Sequence, residues 1–299
     1  MCPVMEQLTK IVSEINGFLW GMYCLIPLLC GVGIYFTLKL DFIQIRRFGL
    51  AVKSTFGGLT LHGERAGKQG MSSFQSLATA IAAQVGTGNL AGAATAIAMG
   101  GPGAIFWMWI AAFFGMATKY AEGCLAVKYR TVDDKGQISG GPMYYIENGL
   151  GRAYRPLAIA FAFFGVLVAY FGIGTFAQVN SIVQITQLNA GIPVEYTAVV
   201  LTILVAAITL GGLQSIAKTA SKIVPAMAVI YMVSTLGFLV IFADKLPGAI
   251  AEIFYDAFHP TAAVGGFLGA SVLFAMRNGV ARGVFSNESG LGSAPIVAA

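Results

Sequence analysis

The stretch "AAQVGTGNLAG", Ala82–Gly92, decides how this chain is read. It sits in the middle of an apolar run of membrane length, yet it gathers three glycines, a threonine, a glutamine and an asparagine. Each interior glycine costs a helix roughly 1 kcal/mol against alanine. One glycine is explained by close helix packing. A glycine pair around Thr87, with Gln84 before it and Asn89 after it, makes a poor packing face and a good place for a helix to unwind. An unwound turn exposes N–H and C=O groups, which at membrane depth are tolerated only where protein or a bound species satisfies them.

The surrounding composition makes membrane depth the right frame. The chain has 299 residues, 57% hydrophobic and 10% charged, with mean hydropathy +0.77. A soluble domain carries about 25% charged residues. The alternation of barrel strands is absent, so the spans are helices. The net charge of +5 fits loops that collect Lys and Arg and is no argument for nucleic acid. The four cysteines, Cys2, Cys24, Cys30 and Cys124, have no metal-type spacing and read as small buried hydrophobes.

Seven segments are long and apolar enough to cross a bilayer, near 17–38, 73–99, 103–127, 156–180, 194–213, 222–243 and 263–299. Leu40–Phe56 and Leu246–Pro260 read as interfacial helices. "GGPMYYIENGLG" (Gly140–Gly151) reads as a short loop helix opened by Pro142 and closed by its glycines. Lys39, Arg46, Arg47, Lys53, Arg65 and Lys68 follow span 1. Lys128, Arg130, Lys135, Arg152 and Arg155 follow span 3, and Lys218 and Lys222 follow span 5. The loops between are nearly bare. By the positive-inside rule the N-terminus is outside, loops 39–72, 128–155 and 214–222 are cytoplasmic, span 2 runs outward and span 7 runs inward.

Span 7 repeats the event of span 2. In "GVARGVFSNESGLGSAPIVAA" (Gly279–Ala299), Ser286, Asn287, Glu288 and Ser289 interrupt an apolar run that resumes at Ala294. Two interrupted spans in corresponding positions of oppositely oriented halves point to an inverted-repeat secondary transporter. The expected fold is therefore an all-α polytopic membrane bundle. Residues 1–299 form one transmembrane domain, with a first repeat over about 73–243 and a second beginning near 263. The four further helices of that second repeat are not in the chain, which reads as part of a larger molecule unable to transport alone.

The chemistry follows from the breaks. A small zwitterion carries a carboxylate and an ammonium, neither of which can be left unpaired in a bilayer. Half-helix N-termini offer free N–H groups to the carboxylate. Freed carbonyls near Ala82 and Val85, with the Asn89 and Thr87 side-chain oxygens, suit a hard cation such as Na+. The turn Phe285–Glu288 offers carbonyls and the Ser286 and Asn287 oxygens to the ammonium. Glycines allow the ligand close to the main chain. Gln178 and Asn180 either line the site or cap the end of span 4. Lys119 and Glu122, three apart on span 3, are expected to pair on one helix face. Arg277 and Arg282 pair with Glu288 or Glu122 or gate the inner mouth. Trp20, Trp107 and Trp109 anchor interfaces or fill packing. With two histidines, His62 and His259, a metal cluster is not expected.

"SFQSLATAIAAQVGTGNLAGAATAIAMGGPGAIFWMW" (Ser73–Trp109), "GMATKYAE" (Gly115–Glu122), "GGPMYYI" (Gly140–Ile146) and "GVARGVFSNESGLGSAPI" (Gly279–Ile296) closely resemble the sodium:alanine (alanine or glycine:cation) symporter family across essentially the whole chain. The resemblance implies a leucine-transporter-type architecture, one extra helix preceding two five-helix repeats. It also implies import of alanine or glycine with Na+ across the cell (inner) membrane, with H+ as the alternative coupling ion. In that wider fold a Gly-x-Gly-Asn turn holds sodium and the substrate carboxylate, and the matching positions here are Gly86, Gly88 and Asn89. Gln84 departs from the small residue typical there. An ion or solute channel is the competing reading, and it would want a pore-lining ring and a filter repeat. An intramembrane enzyme would need a nucleophile–base pair or a metal cluster, which the spans lack.

Overall fold

The computed structural model describes residues 3–21, 24–56, 72–132, 134, 138–171, 173–259 and 272–299. His62, Arg65, Lys68, Lys135 and the start of span 7 at 263–271 lie outside the described residues.

The described elements are helical apart from one two-stranded hairpin, β1 (Thr131–Val132) and β2 (Ile138–Ser139), paired antiparallel with Thr131 opposite Ser139. The helices are α1 (Pro3–Leu19), α2 (Leu25–Lys39), α3 (Ile43–Arg46), α4 (Phe48–Phe56), α5 (Ser73–Gln84), α6 (Thr87–Gly100) and α7 (Gly103–Lys128). They continue with α8 (Pro142–Leu150), α9 (Arg155–Phe171), α10 (Ile173–Ala190), α11 (Val194–Thr209), α12 (Gly212–Ile241), α13 (Leu246–Phe258), α14 (Val272–Asn287) and α15 (Ser293–Ala298).

Three helical segments, Gly103–Lys128, Arg152–Tyr170 and Gln214–Ile241, are each long and apolar enough to cross a bilayer, and α2 and α11 are shorter apolar helices. At 1.5 Å per residue the 26 residues of α7 reach about 39 Å, more than a hydrocarbon core of about 30 Å. Burial follows a membrane pattern among the described residues. Twelve of the seventeen buried apolar residues are alanines, while large side chains such as Val168 and Ile241 are 68% and 73% exposed. Small residues bring helix backbones together, and large apolar ones are left for lipid or further helices.

The chain divides into two compact units. One holds Met1–Phe48, Gly92–Ala121 and Ala243–Gly290; the other holds Gly49–Ala91, Glu122–Phe242 and Leu291–Ala299. In the first unit α14 lies on α7 through Gly279 and Gly283: a Cβ on Gly279 would fall on the Ala104 carbonyl, and one on Gly283 would sit 3.2 Å from Ala111 Cβ. Gly100 makes the same kind of approach to Ala275. Trp107 Nε1 donates to the Ala257 carbonyl at 3.2 Å, and Phe106 stacks edge-on with Phe258 at 5.1 Å. These contacts seat α13 against the start of α7, so Trp107 is used for packing.

In the second unit α5 packs on α12 through Ala78, Ala220 and Val224, with Ile81 and Met227 beside them. It also meets α15, where Ser76 Oγ donates to the Val297 carbonyl at 3.4 Å. The loop helix α8 starts at Pro142 and closes at Gly151, φ +96°, as its sequence indicates.

Several boundaries differ from the sequence reading. Helix continues through α10 to Ala190, so span 4 does not stop at 180 and 181–190 is not a loop. Residues 214–222 are the opening turns of α12, and Lys218 and Lys222 are exposed on that helix. Hydropathy falls there because charged side chains face outward, while nothing in the backbone breaks. Leu40–Phe56 is not one helix; Phe42, in the left-handed region at φ +52°, and Arg47 interrupt it.

Candidate functional site

The first break is built by its flanks. Helix α5 is started by a capping box, in which Ser72 Oγ accepts from the Gln75 N–H at 3.2 Å and Gln75 Oε1 accepts from the Ser72 N–H at 3.0 Å. It ends at Gln84. Val85 then turns extended, φ −99° and ψ 102°, while its N–H still reaches the Ile81 carbonyl at 2.8 Å. A continued helix would send the Asn89 N–H to Val85. Instead it donates to the Gly86 carbonyl at 3.1 Å, which releases the Val85 carbonyl from its in-helix partner. Thr87 and Gly88 open α6, whose first N–H groups have no partner within the helix.

Gln178 lies inside α10, so it does not cap a helix end. Its amide covers the unwound turn: a Cβ on Gly86 would sit 2.8 Å from Gln178 Nε2. Only glycine allows this approach. Asn180 is also interior to α10, and its Oδ1 accepts from Gln184 Nε2 at 3.4 Å. Ala82 and Val85 are exposed and Asn89 is half-buried. The turn therefore places a glycine, an amide side chain and freed main-chain groups together within the second unit.

The second break starts three residues later than the sequence suggests. Phe285, Ser286 and Asn287 form the last turn of α14, each half-buried, and the unwound segment is Glu288–Gly292. Glu288 (φ +51°), Gly290 (φ +83°) and Gly292 (φ +83°) are left-handed. The two glycines take that conformation without the Cβ strain that Glu288 bears. The Glu288 N–H closes α14 on the Val284 carbonyl at 2.9 Å. Lys119 Nζ donates to the Asn287 carbonyl at 3.3 Å, a cation at the negative end of a helix. Nothing in the spacing of the sequence signals this bond. The Gly279-x-x-x-Gly283 spacing, by contrast, is legible as a helix-packing signal. Arg277 is half-buried, whereas Arg282 is exposed, its Cδ 3.9 Å from where a Gly92 Cβ would lie.

Outside the spans, burial and then the Glu122 carboxylate push the Tyr145 phenol up to about 12, so α8 presents a neutral hydroxyl at physiological pH.

Three helical segments long and apolar enough to cross a bilayer, together with two helices broken by polar turns, mark a polytopic membrane protein. The model of the sodium:alanine symporter family matches residues 5–299, and the chain belongs to that family, which is one of transporters and not enzymes. It is 49% identical over 292 residues to the sodium/alanine symporter AgcS of Methanococcus maripaludis, covering 97% of this chain and 62% of that one. It is 54% identical over 290 residues to an uncharacterized transporter of Haemophilus influenzae, with 97% and 62% covered. It is 41% identical over 300 residues to the probable sodium/glutamine symporter GlnT of Bacillus subtilis, with 99% and 59% covered. The chain thus spans about three-fifths of the length of the curated relatives it matches.

Proposed function

We propose that the protein is a Na+-coupled symporter that imports a small neutral amino acid, alanine or glycine, across the cell membrane by alternating access. The observation that carries this reading is the interruption of two apolar helices by polar unwound turns, at Val85–Gly86 and at Glu288–Gly292. At membrane depth the Val85 carbonyl that the first turn releases needs a partner, and a cation supplies it. At the first turn, the Ala82 and Val85 carbonyls and the Asn89 amide oxygen take Na+. Gly86, Thr87 and Gly88, at the start of α6, take the carboxylate, with Gln84 and Gln178 beside them. At the second, the Phe285 and Ser286 carbonyls and the Ser286 and Asn287 side-chain oxygens take the ammonium, while the Asn287 carbonyl stays with Lys119.

Na+ fits the first turn better than H+, because Ala82–Gly92 contains no titratable side chain and neutral oxygens suit a hard cation. The family description and the sodium/alanine name of the Methanococcus relative support alanine with sodium. The glutamine in the name of the Bacillus relative marks the alternative substrate size. The architecture is a leucine-transporter-type inverted repeat, about 73–243 and from about 263, in one transmembrane domain. The N-terminus is outside and the loops at 39–72 and 128–155 are cytoplasmic.

Radiolabelled alanine uptake into proteoliposomes by the intact transporter tests the reading. Accumulation above the outside concentration with an inward Na+ gradient, and none without it, is expected. Uptake that only equilibrates, whatever the gradient, would establish the channel reading instead.

A further inference from the structure

The sequence block "GMATKYAE" lies on α7, and the roles given above to the two turns do not use it. Three of its residues face the second break. Gly115 admits the turn: a Cβ there would stand 2.9 Å from Ser289 Oγ. Lys119 Nζ holds the Asn287 carbonyl at 3.3 Å. Between them Thr118 is 4% exposed, and its hydroxyl oxygen is buried without a hydrogen-bond partner among the described residues. That hydroxyl lines a cavity of about 10 Å³ whose other polar walls are Asn287 and Ser289. Ser289 is itself 8% exposed.

A buried hydroxyl left unpaired is costly. A cavity of this size is about the smallest that holds one water, and Thr118, Asn287 and Ser289 are the polar partners it offers within a largely apolar wall. A cation is disfavoured because the Lys119 ammonium already sits on a carbonyl of a lining residue.

We infer that Gly115, Thr118 and Lys119 form a cradle that holds the second unwound turn from behind, with one water joining Thr118 to the turn. These are positioning residues. They fix the last turn of α14, so that the Phe285 and Ser286 carbonyls and the Asn287 side chain keep the geometry that receives the substrate ammonium, a role that rests on the proposed function.

The test is hydrogen exchange of the backbone amides in 285–292, measured by mass spectrometry on the intact transporter in lipid nanodiscs. Alanine uptake kinetics are measured in parallel. Lys119→Met is expected to speed exchange in this segment at least tenfold and to raise the alanine KM at least fivefold. Lys119→Arg, which keeps the cationic donor, is expected to stay within about twofold of the unsubstituted protein. Thr118→Val, nearly isosteric but without the hydroxyl, is expected to speed exchange about threefold, and Thr118→Ser to leave it unchanged. Unchanged exchange in Lys119→Met and Thr118→Val overturns the cradle. So does a Lys119→Arg variant as fast as Lys119→Met, since packing would then be the cause. Should Lys119→Met fail to fold, the Thr118→Val and Thr118→Ser pair decides. An unsubstituted protein without Na+-dependent uptake sinks the symport reading, while the exchange arm still judges the cradle.

Discussion

The two helix breaks look alike in sequence but are held in different ways. The first is short. Val85 and Gly86 leave the helix without a left-handed residue between them, and the neighbour against Gly86 is the far end of a flexible side chain, the Gln178 amide. The second runs over five residues, three of them left-handed. Its helix α14 is locked by Gly279 against main-chain atoms of α7, and its last carbonyl is held by Lys119. A turn lined by side-chain ends can adjust to a ligand. One backed by main chain and a half-buried lysine is held in shape before any ligand arrives. The turn proposed for Na+ and the carboxylate is thus the adjustable one, and the turn proposed for the ammonium is the preorganised one.

The sharpest way to break this contrast is a single methyl at each. Gly279→Ala would drive a Cβ onto the Ala104 carbonyl and within 2.8 Å of Trp107 Cβ, where little can yield. Overpacking of that kind is expected to cost about 3 kcal/mol. Gly86→Ala needs only the Gln178 amide to swing aside and is expected to cost about 1 kcal/mol of stability. Thermal unfolding of both variants in detergent measures the difference. Equal losses would show that the first turn is as rigidly backed as the second.

A smaller effect sharpens the ligand side. Asn89→Ala is expected to raise the Na+ concentration for half-maximal alanine uptake at least about fivefold, equivalent to roughly 1 kcal/mol. Na+ titration of uptake by a well-expressed variant checks it. An unchanged Na+ dependence removes Asn89 from the cation site.

The smallest effect lies away from both turns. Burial and Glu122 raise Tyr145 from its ordinary 10 to about 12. Its contribution is therefore fully present below pH 10 and is lost as pH rises from 10 to about 12, where the unfolded phenol ionises and the folded one does not. Tyr145→Phe is expected to remove that alkaline component from a pH series of unfolding midpoints. A variant that keeps the full alkaline loss would place its origin elsewhere.

Both breaks were legible because they violate two rules together. Glycines lower helix propensity where polar side chains lower hydropathy, and inside an apolar run no other feature does both. The loop helix α8 was legible for a similar reason, since Pro142 and Gly151 act through their own backbones. The end of span 4 was not legible, since 181–190 continues as helix. A run such as "QVNSIVQITQLN" (Gln178–Asn189) is polar enough to resemble a span end, although amides within a helix interior do not disturb its backbone.

By itself, then, the sequence determined that this is a predominantly helical membrane chain, where its helices are interrupted, and which family it resembles. Those features depend on hydropathy, glycine and proline, which act locally. Only the tertiary structure decided that Gln178 covers Gly86, that Lys119 caps α14 from 168 positions away, and that Ser76 reaches Val297 across 221. Such pairings depend on which helix faces meet. Lipid-facing and helix-facing surfaces are both apolar, so hydropathy alone cannot tell one from the other.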